Sequence, residues 1–170
     1  MAIMEAEIVC VPKLMDVDAE FVNPFLAAAH DALVSLGRTP AQRGELALTM
    51  QDEFSDDVVV ELQVEGELHG VVFFCMDEET AKRSVSAILR GIIIEEMDEM
   101  AQSSLEEFSI RVSEKAKRQL LKLGYKVNVR SRLLLNERAQ LPDFFPFLTV
   151  CLTTRCGEML AFFNLTKTVK

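Results

Sequence analysis

The order of predicted elements places this chain in the α+β class: an antiparallel sheet of about six strands with three helices, in the order α-βββ-αα-βββ. Apolar residues recur with the helical period between residues 25 and 36 and again between 97 and 123. Strand-like apolar runs lie before, between and after these segments. Turn residues at Glu65-Gly66 and at Arg155-Cys156-Gly157 join neighbouring strands directly, as antiparallel hairpins require.

The first helix is predicted to begin at Asn23-Pro24, because Asn caps helix N-termini and Pro is tolerated at the first helical position. Gly37 ends it. Strands are then predicted over residues 42–50, 58–64 and 67–76, with a polar turn at 51–57. Asp77 caps a short second helix, which has acids in its first turn and ends near Gly91.

The longest predicted helix covers Met97 to Leu123, about 40 Å at 1.5 Å per residue, and Gly124 closes it. Further strands are predicted over residues 126–135, 147–154 and 158–166, with a loop at 136–146. The apolar alternation from Ile8 to Val11 predicts an edge strand near the N-terminus. We therefore expect an N-terminal extension over 1–17 and a single domain over 18–170.

Composition excludes several functional classes. The 170 residues carry a net charge of −9, and 49% of them are hydrophobic. A chain this acidic, with no long basic cluster, lacks the charge pattern of a nucleic-acid binder. No apolar run approaches the ~20 residues that cross a bilayer, and the first residues do not resemble a signal peptide. We expect a cytoplasmic protein whose isolated cysteines and histidines bind no metal.

Helical geometry divides the longest helix into two faces. With 100° per residue, a core stripe falls within about 60° of Leu105: Ala101, Leu105, Phe108, Val112, Ala116, Leu120 and Leu123. The opposite side carries Ser103, Glu107, Ile110, Arg111 and Glu114. Ile110 is the apolar exception there. It is an isolated surface residue, a residue covered by another helix, or part of a working surface with Ser103 and Glu107.

Several segments resemble the CheC/CheX/FliY family of chemotaxis phosphatases, and its CheX members most closely. The resemblance covers about residues 18–168. Four segments carry it. The first helix opens with Phe21-Val22-Asn23-Pro24-Phe25, and the central hairpin covers 64–73. The second helix starts with Glu78-Glu79-Thr80-Ala81, and the long helix ends with Lys115 to Arg118 and Leu123-Gly124-Tyr125.

The resemblance implies a site on the long helix. Family members carry Asp or Ser, three residues, Glu, two residues and Asn there, and they hydrolyse the aspartyl phosphate of the response regulator CheY. The Glu engages a lysine of the regulator and the Asn orients the attacking water. In this chain, Ser103 and Glu107 match the first two positions of that signature, but Ile110 occupies the position of the Asn. A frame shifted by one residue, with Glu106 and Ser109, is rejected because it disagrees with the core stripe.

Three functions remain open. The first is a two-component protein that binds a phosphorylated CheY-type regulator through Ser103, Ile110, Arg111 and Glu114 but is catalytically degenerate, because an isoleucine cannot hold a water. The second is an active phosphatase acting through Glu107. The third is an interaction module with an unrelated partner. The resemblance also implies a homodimer and no cofactor of its own, since the regulator would carry the Mg²⁺.

Overall fold

The computed structural model describes residues 19–54, 56–137 and 139–169. It contains three α-helices and seven β-strands. The helices are α1 (Ala19–Gly37), α2 (Glu78–Ile88) and α3 (Glu99–Lys122). The strands are β1 (Gln42–Arg43), β2 (Ala47–Phe54), β3 (Val58–Gly66), β4 (Leu68–Met76), β5 (Val127–Leu135), β6 (Ala139–Thr154) and β7 (Gly157–Lys167). The predicted α+β class is confirmed.

All strands belong to one antiparallel sheet with the order β1-β6-β7-β4-β3-β5. β2 also pairs with β6, along its N-terminal half, so β1 and β2 share one edge of that strand. β5 forms the opposite end of the sheet. The three helices pack on one face, where α3 contacts both α1 and β5. This arrangement leaves the outer side of α3 facing away from the sheet.

The sheet has a buried apolar cluster on each face, because successive strand residues point to opposite sides. On the helix side, Val60, Val72 and Phe163 join the apolar stripes of the helices. A smaller cluster lies on the other side: Val59, Phe73, Cys75, Leu134, Phe147 and Phe162. Strands buried on both faces explain the nearly continuous apolar runs of the central hairpin.

The first helix begins earlier than predicted. It starts at Ala19 rather than at Asn23, so Pro24 lies inside it and removes one intrahelical hydrogen bond. Phe21 and Val22 are 1% and 0% exposed. Their burial offsets the loss and favours the additional turn, which local capping signals do not predict.

Two predicted boundaries in the β-structure are wrong. The strand expected at 42–50 is divided into β1 and β2, and β2 extends through most of the predicted turn to Phe54. The loop expected at 136–146 belongs mostly to β6, a strand of 16 residues. β7 pairs with β6 only from Leu148 onward. Among the described strands, the preceding residues of β6 therefore have a partner on one side only, where proline is tolerated. The strand predicted near Ile8 lies outside the described residues.

Candidate functional site

The position of the outer face of α3 follows from how the helix starts and which side it buries. The carboxylate of Asp98 accepts a hydrogen bond from the backbone N–H of Ala101 at 2.9 Å, which caps the first turn. The predicted core stripe is buried from Ala101 to Leu120, each residue being at most 1% exposed. Leu123 is the exception: it is 48% exposed, because it is the C-cap residue, beyond the last helical turn.

The opposite side of α3 is accessible, as the periodicity predicts. Ser103, Glu107 and Glu114 are exposed, and 49% of the Glu107 side chain is accessible. Ile110 is 44% exposed, so neither of the other two described helices covers it. The structure thus brings Ser103, Glu107 and Ile110 together over two turns of one solvent-facing surface. We call this surface, with Arg111 and Glu114, the α3 outer face.

Glu107 has one polar partner within the described part of the chain. The Nε atom of Arg111 donates to its Oε1 atom at 3.0 Å, one helical turn away. Both side chains are more than two-fifths exposed, and an exposed pair of this kind contributes only about 0.3–0.5 kcal/mol to stability. A cation from another molecule could therefore replace Arg111 at small cost.

The alternative frame pairs Glu106, which is exposed, with Ser109, which is buried, although both residues line a groove between α3 and β5. Ser109 is 2% exposed, and its hydroxyl donates to the Glu106 carbonyl at 2.8 Å. A hydroxyl that is buried and already bonded to its own helix cannot reach a phosphate on another protein. The choice of Glu107 and Ile110 is consistent with the rotation of the helix.

A groove of about 400 Å³ runs beside the α3 outer face, between α3 and β5. Glu106 and Ile110 form its helix side, and Ser131 and Arg132 form its strand side. The Arg132 side chain itself points away from the groove, because it pairs at 3.3 Å with the buried Glu61 carboxylate on the other face of the sheet. The groove borders Ile110, the one apolar residue of the outer face, so it extends the surface that a partner would contact.

The sequence interpretation missed a second occurrence of the family spacing. Asp16, Glu20 and Asn23 are separated by the same three and two intervening residues, and here the Asn is present. Asn23 is exposed on α1, where its Oδ1 atom accepts a hydrogen bond from Arg43 at 2.5 Å. Asp16 and the Glu20 side chain lie outside what the structure describes. The spacing was visible in the sequence, but the assumption that Asn23 caps the helix concealed it.

The cysteines that the structure describes do not form a site. Cys75 and Cys156 are buried free thiols, and Cys151 is half-buried. Burial raises the pKa of the Cys75 thiol far above its ordinary value, and the nearby Asp56 carboxylate raises it further. Across the described ranges, no three His, Cys, Asp or Glu residues come together as metal ligands would. In the same part of the chain, no helix is both long and apolar enough to cross a membrane.

Comparison with known proteins identifies the fold. No protein-family model matches the chain. It is 22% identical over 121 residues to the CheY-P phosphatase CheX of Thermotoga maritima, covering 71% of this chain and 78% of that protein. The crystal structure of a chemotaxis protein CheX from Desulfovibrio desulfuricans is similar, with a TM-score of 0.76 at 17% identity over 86% of this chain and 99% of that one.

A complex from Borrelia burgdorferi provides a further comparison. A chain of its CheX-CheY-BeF3-Mg²⁺ structure matches with a TM-score of 0.66 at 17% identity, covering 86% of this chain and 98% of that one. The chain thus has the fold of the CheX and CheC-like chemotaxis proteins, and the resemblance to the CheC/CheX/FliY family is confirmed.

Proposed function

We propose that this chain is a CheX-like protein that binds a phosphorylated CheY-type response regulator through the α3 outer face and is catalytically degenerate. The observation that carries the proposal is the exposed pair of Glu107 and Ile110, in the register that the family signature requires. The solved complex of a CheX with CheY and BeF3 supports a regulator as the partner. In that case Mg²⁺ would be carried by the regulator.

Glu107 is suited to contact a cation of the partner. Its carboxylate is half-exposed and bonded only to Arg111 among the described residues. Exchange of that guanidinium for a lysine ammonium would keep one charge-assisted hydrogen bond in place of another. Arg111 would then be free to contact acidic groups around the phosphorylation site, with Ser103 and Glu114 at the edges of the contact.

Ile110 accounts for the proposed lack of catalysis. An acyl phosphate is already reactive, so a phosphatase mainly positions the attacking water. That position requires a donor or acceptor, and an isoleucine has neither. An exposed aliphatic side chain instead gains free energy when a partner covers it. Ile110 would therefore strengthen binding without placing a nucleophile.

The test combines binding and hydrolysis. We expect the protein to bind the BeF3-activated regulator in titration calorimetry and to leave the decay rate of the radiolabelled phospho-regulator unchanged. Ile110→Asn should create hydrolysis, and Glu107→Ala in that background should abolish it. Glu79→Ala is the matched control, since Glu79 is an exposed glutamate paired with Lys82 on α2. Absence of binding would refute the proposal and favour an unrelated partner.

Active phosphatase is the second candidate, and the spacing of Asp16, Glu20 and Asn23 favours it over a wholly inactive protein. The Asn23 amide is exposed, its oxygen accepts the bond from Arg43, and its N–H donors have no acceptor among the described residues. If the wild-type protein accelerates decay, Asn23→Ala should remove the activity while Glu107→Ala retains it. The reverse result would place hydrolysis on α3 despite Ile110.

A homodimer in the cytoplasm completes the proposal. Within the described part of the chain, β5 lies at one end of the sheet and pairs with β3 on its inner side alone. Its outer backbone groups are available for an edge-to-edge contact with a second copy. Light scattering should give twice the monomer mass, and a proline at Arg130, midway along this strand, should favour the monomer.

A further inference from the structure

A cavity of about 730 Å³ lies at the end of the molecule where α1 and α2 terminate against the β6–β7 turn. Four arginines line it: Arg38, Arg83, Arg90 and Arg155. We call it the arginine cavity. None of its lining residues belongs to the α3 outer face, so the regulator-binding proposal does not explain it.

The positive charges of the arginine cavity lack ion-pair partners among the described residues, although Arg83 lies near an acid: after the hydrogen bond from Thr80, its charge is among the causes that lower the pKa of the Asp77 carboxyl. The chain as a whole is acidic, with a net charge of −9, and other surface cations such as Lys82 and Arg130 have carboxylate partners. None of the four cavity arginines has a carboxylate within ion-pair distance among the described residues. Two of them donate hydrogen bonds to backbone carbonyls instead: Arg83 to Cys156 at 3.4 Å and Arg155 to Gly37 at 3.3 Å.

The C-terminal ends of two helices balance only part of the positive charge of these arginines. The C-termini of α1 and α2 both lie at the cavity, and each helix C-terminus carries about half a negative charge. Two such ends supply about one negative charge, against four guanidinium groups. A substantial positive excess remains, and it faces a solvent-accessible concavity rather than a flat surface.

The backbone places two of these arginines in an unusual conformation. Arg38 and Arg90 follow α1 and α2 with φ of 49° and 59°, at the helix-end position that glycine normally occupies. Their N–H groups donate to the Val34 and Ala87 carbonyls, so the positions are well defined. Arginine in place of the favoured glycine costs conformational energy at both helix ends. An arginine in this conformation at both helix ends is consistent with a role for the guanidinium itself.

We infer that the arginine cavity binds small anions carrying two or more phosphate groups. Guanidinium groups recognise phosphate oxygens through paired hydrogen bonds, and the hydroxyl-bearing Ser35 and Ser86 also line the cavity. Its volume is that of a small-molecule site. The described lining residues include no aromatic side chain on which a base could stack, so recognition is directed to the phosphates and not to an attached nucleoside.

Substitution of two cavity arginines by glycine tests the proposed anion binding without lowering the stability of the fold. Arg38→Gly/Arg90→Gly removes both guanidinium groups and supplies the residue that suits the backbone, so its unfolding temperature should not fall. The matched control is Arg118→Gln/Lys122→Gln, which removes the same charge from exposed positions on α3, outside the cavity. Titration calorimetry at low ionic strength uses pyrophosphate, ATP, orthophosphate and polyglutamate as probes.

Pyrophosphate and ATP should bind the wild type with similar affinity, and orthophosphate more weakly. The cavity variant should weaken pyrophosphate binding by at least about tenfold, since it loses charge-assisted bonds, while the control stays within about twofold of the wild type. Equal weakening in both variants would mean a general charge effect and overturn the inference. So would undetectable pyrophosphate binding to the wild type, or binding of polyglutamate alone.

Discussion

Truncation of Ile110 to alanine measures most directly how much the α3 outer face contributes to the affinity for the regulator. Ile110 is 44% exposed and lies one turn beyond Glu107, so a partner that contacts the carboxylate also covers this side chain. The substitution leaves the helix and its ion pair intact, because alanine is the best helix former. Any change in affinity then reports the contact itself.

The expected size follows from the exposed fraction. Complete burial of an isoleucine is worth about 1.5–3 kcal/mol. The remaining 44% is therefore worth about 1 kcal/mol when a partner covers it. This corresponds to about a fivefold increase in Kd.

The assay is titration calorimetry with the BeF3-activated regulator. Leu160→Ala serves as the control, because Leu160 is 38% exposed but is paired with Cys75 on the far face of the sheet. Loss of affinity in Ile110→Ala alone would support the surface as assigned. Equal affinities for the wild type and Ile110→Ala would refute the reasoning, whatever the regulator's other contacts.

Further predictions concern stability and reactivity. Gly70→Ala should lower the free energy of unfolding in urea by more than about 3 kcal/mol, because the added Cβ would lie 1.9 Å from the Asn164 carbonyl oxygen. The control is Gly124→Ala, which is also at positive φ but in open space and should lower it by only about 1–2 kcal/mol. Equal losses would contradict the clash. Asp77→Ala should lose about 1 kcal/mol at neutral pH. Backbone hydrogen bonding lowers the pKa of Asp77, so its stabilising contribution is present above the ordinary carboxyl pKa and is lost as the pH falls through the folded-state pKa. The stability difference between the wild type and Asp77→Ala should therefore shrink in acid. A difference that grew in acid would contradict the role of Asp77 as a cap. Cys75 should resist a thiol reagent in the native protein at pH 8 and react after unfolding, as mass mapping would record, since burial raises its pKa; rapid native labelling would contradict its burial.

The spacing of apolar residues along α3 was enough to determine the orientation of the candidate site. Leu105, Phe108 and Val112 recur with the helical period, and burial of that stripe forces Glu107 and Ile110 to the opposite side. The same local logic located Asp77 as a cap and Gly124 as the end of the long helix. Rotation and capping of a helix depend on residues within a few positions of each other, which is why one sequence sufficed.

Other features of the protein could be recognised only from the tertiary structure. Residues 139–146 form a strand because β2 pairs with them, and hydrogen bonding between segments so far apart in the chain leaves no local pattern. The arginine cavity is a stronger case. Arg38, Arg83, Arg90 and Arg155 are scattered among ordinary charged positions in the sequence and share one concavity only because two helix ends meet a hairpin turn there. Charge density in space depends on how distant segments pack, and sequence order does not record that.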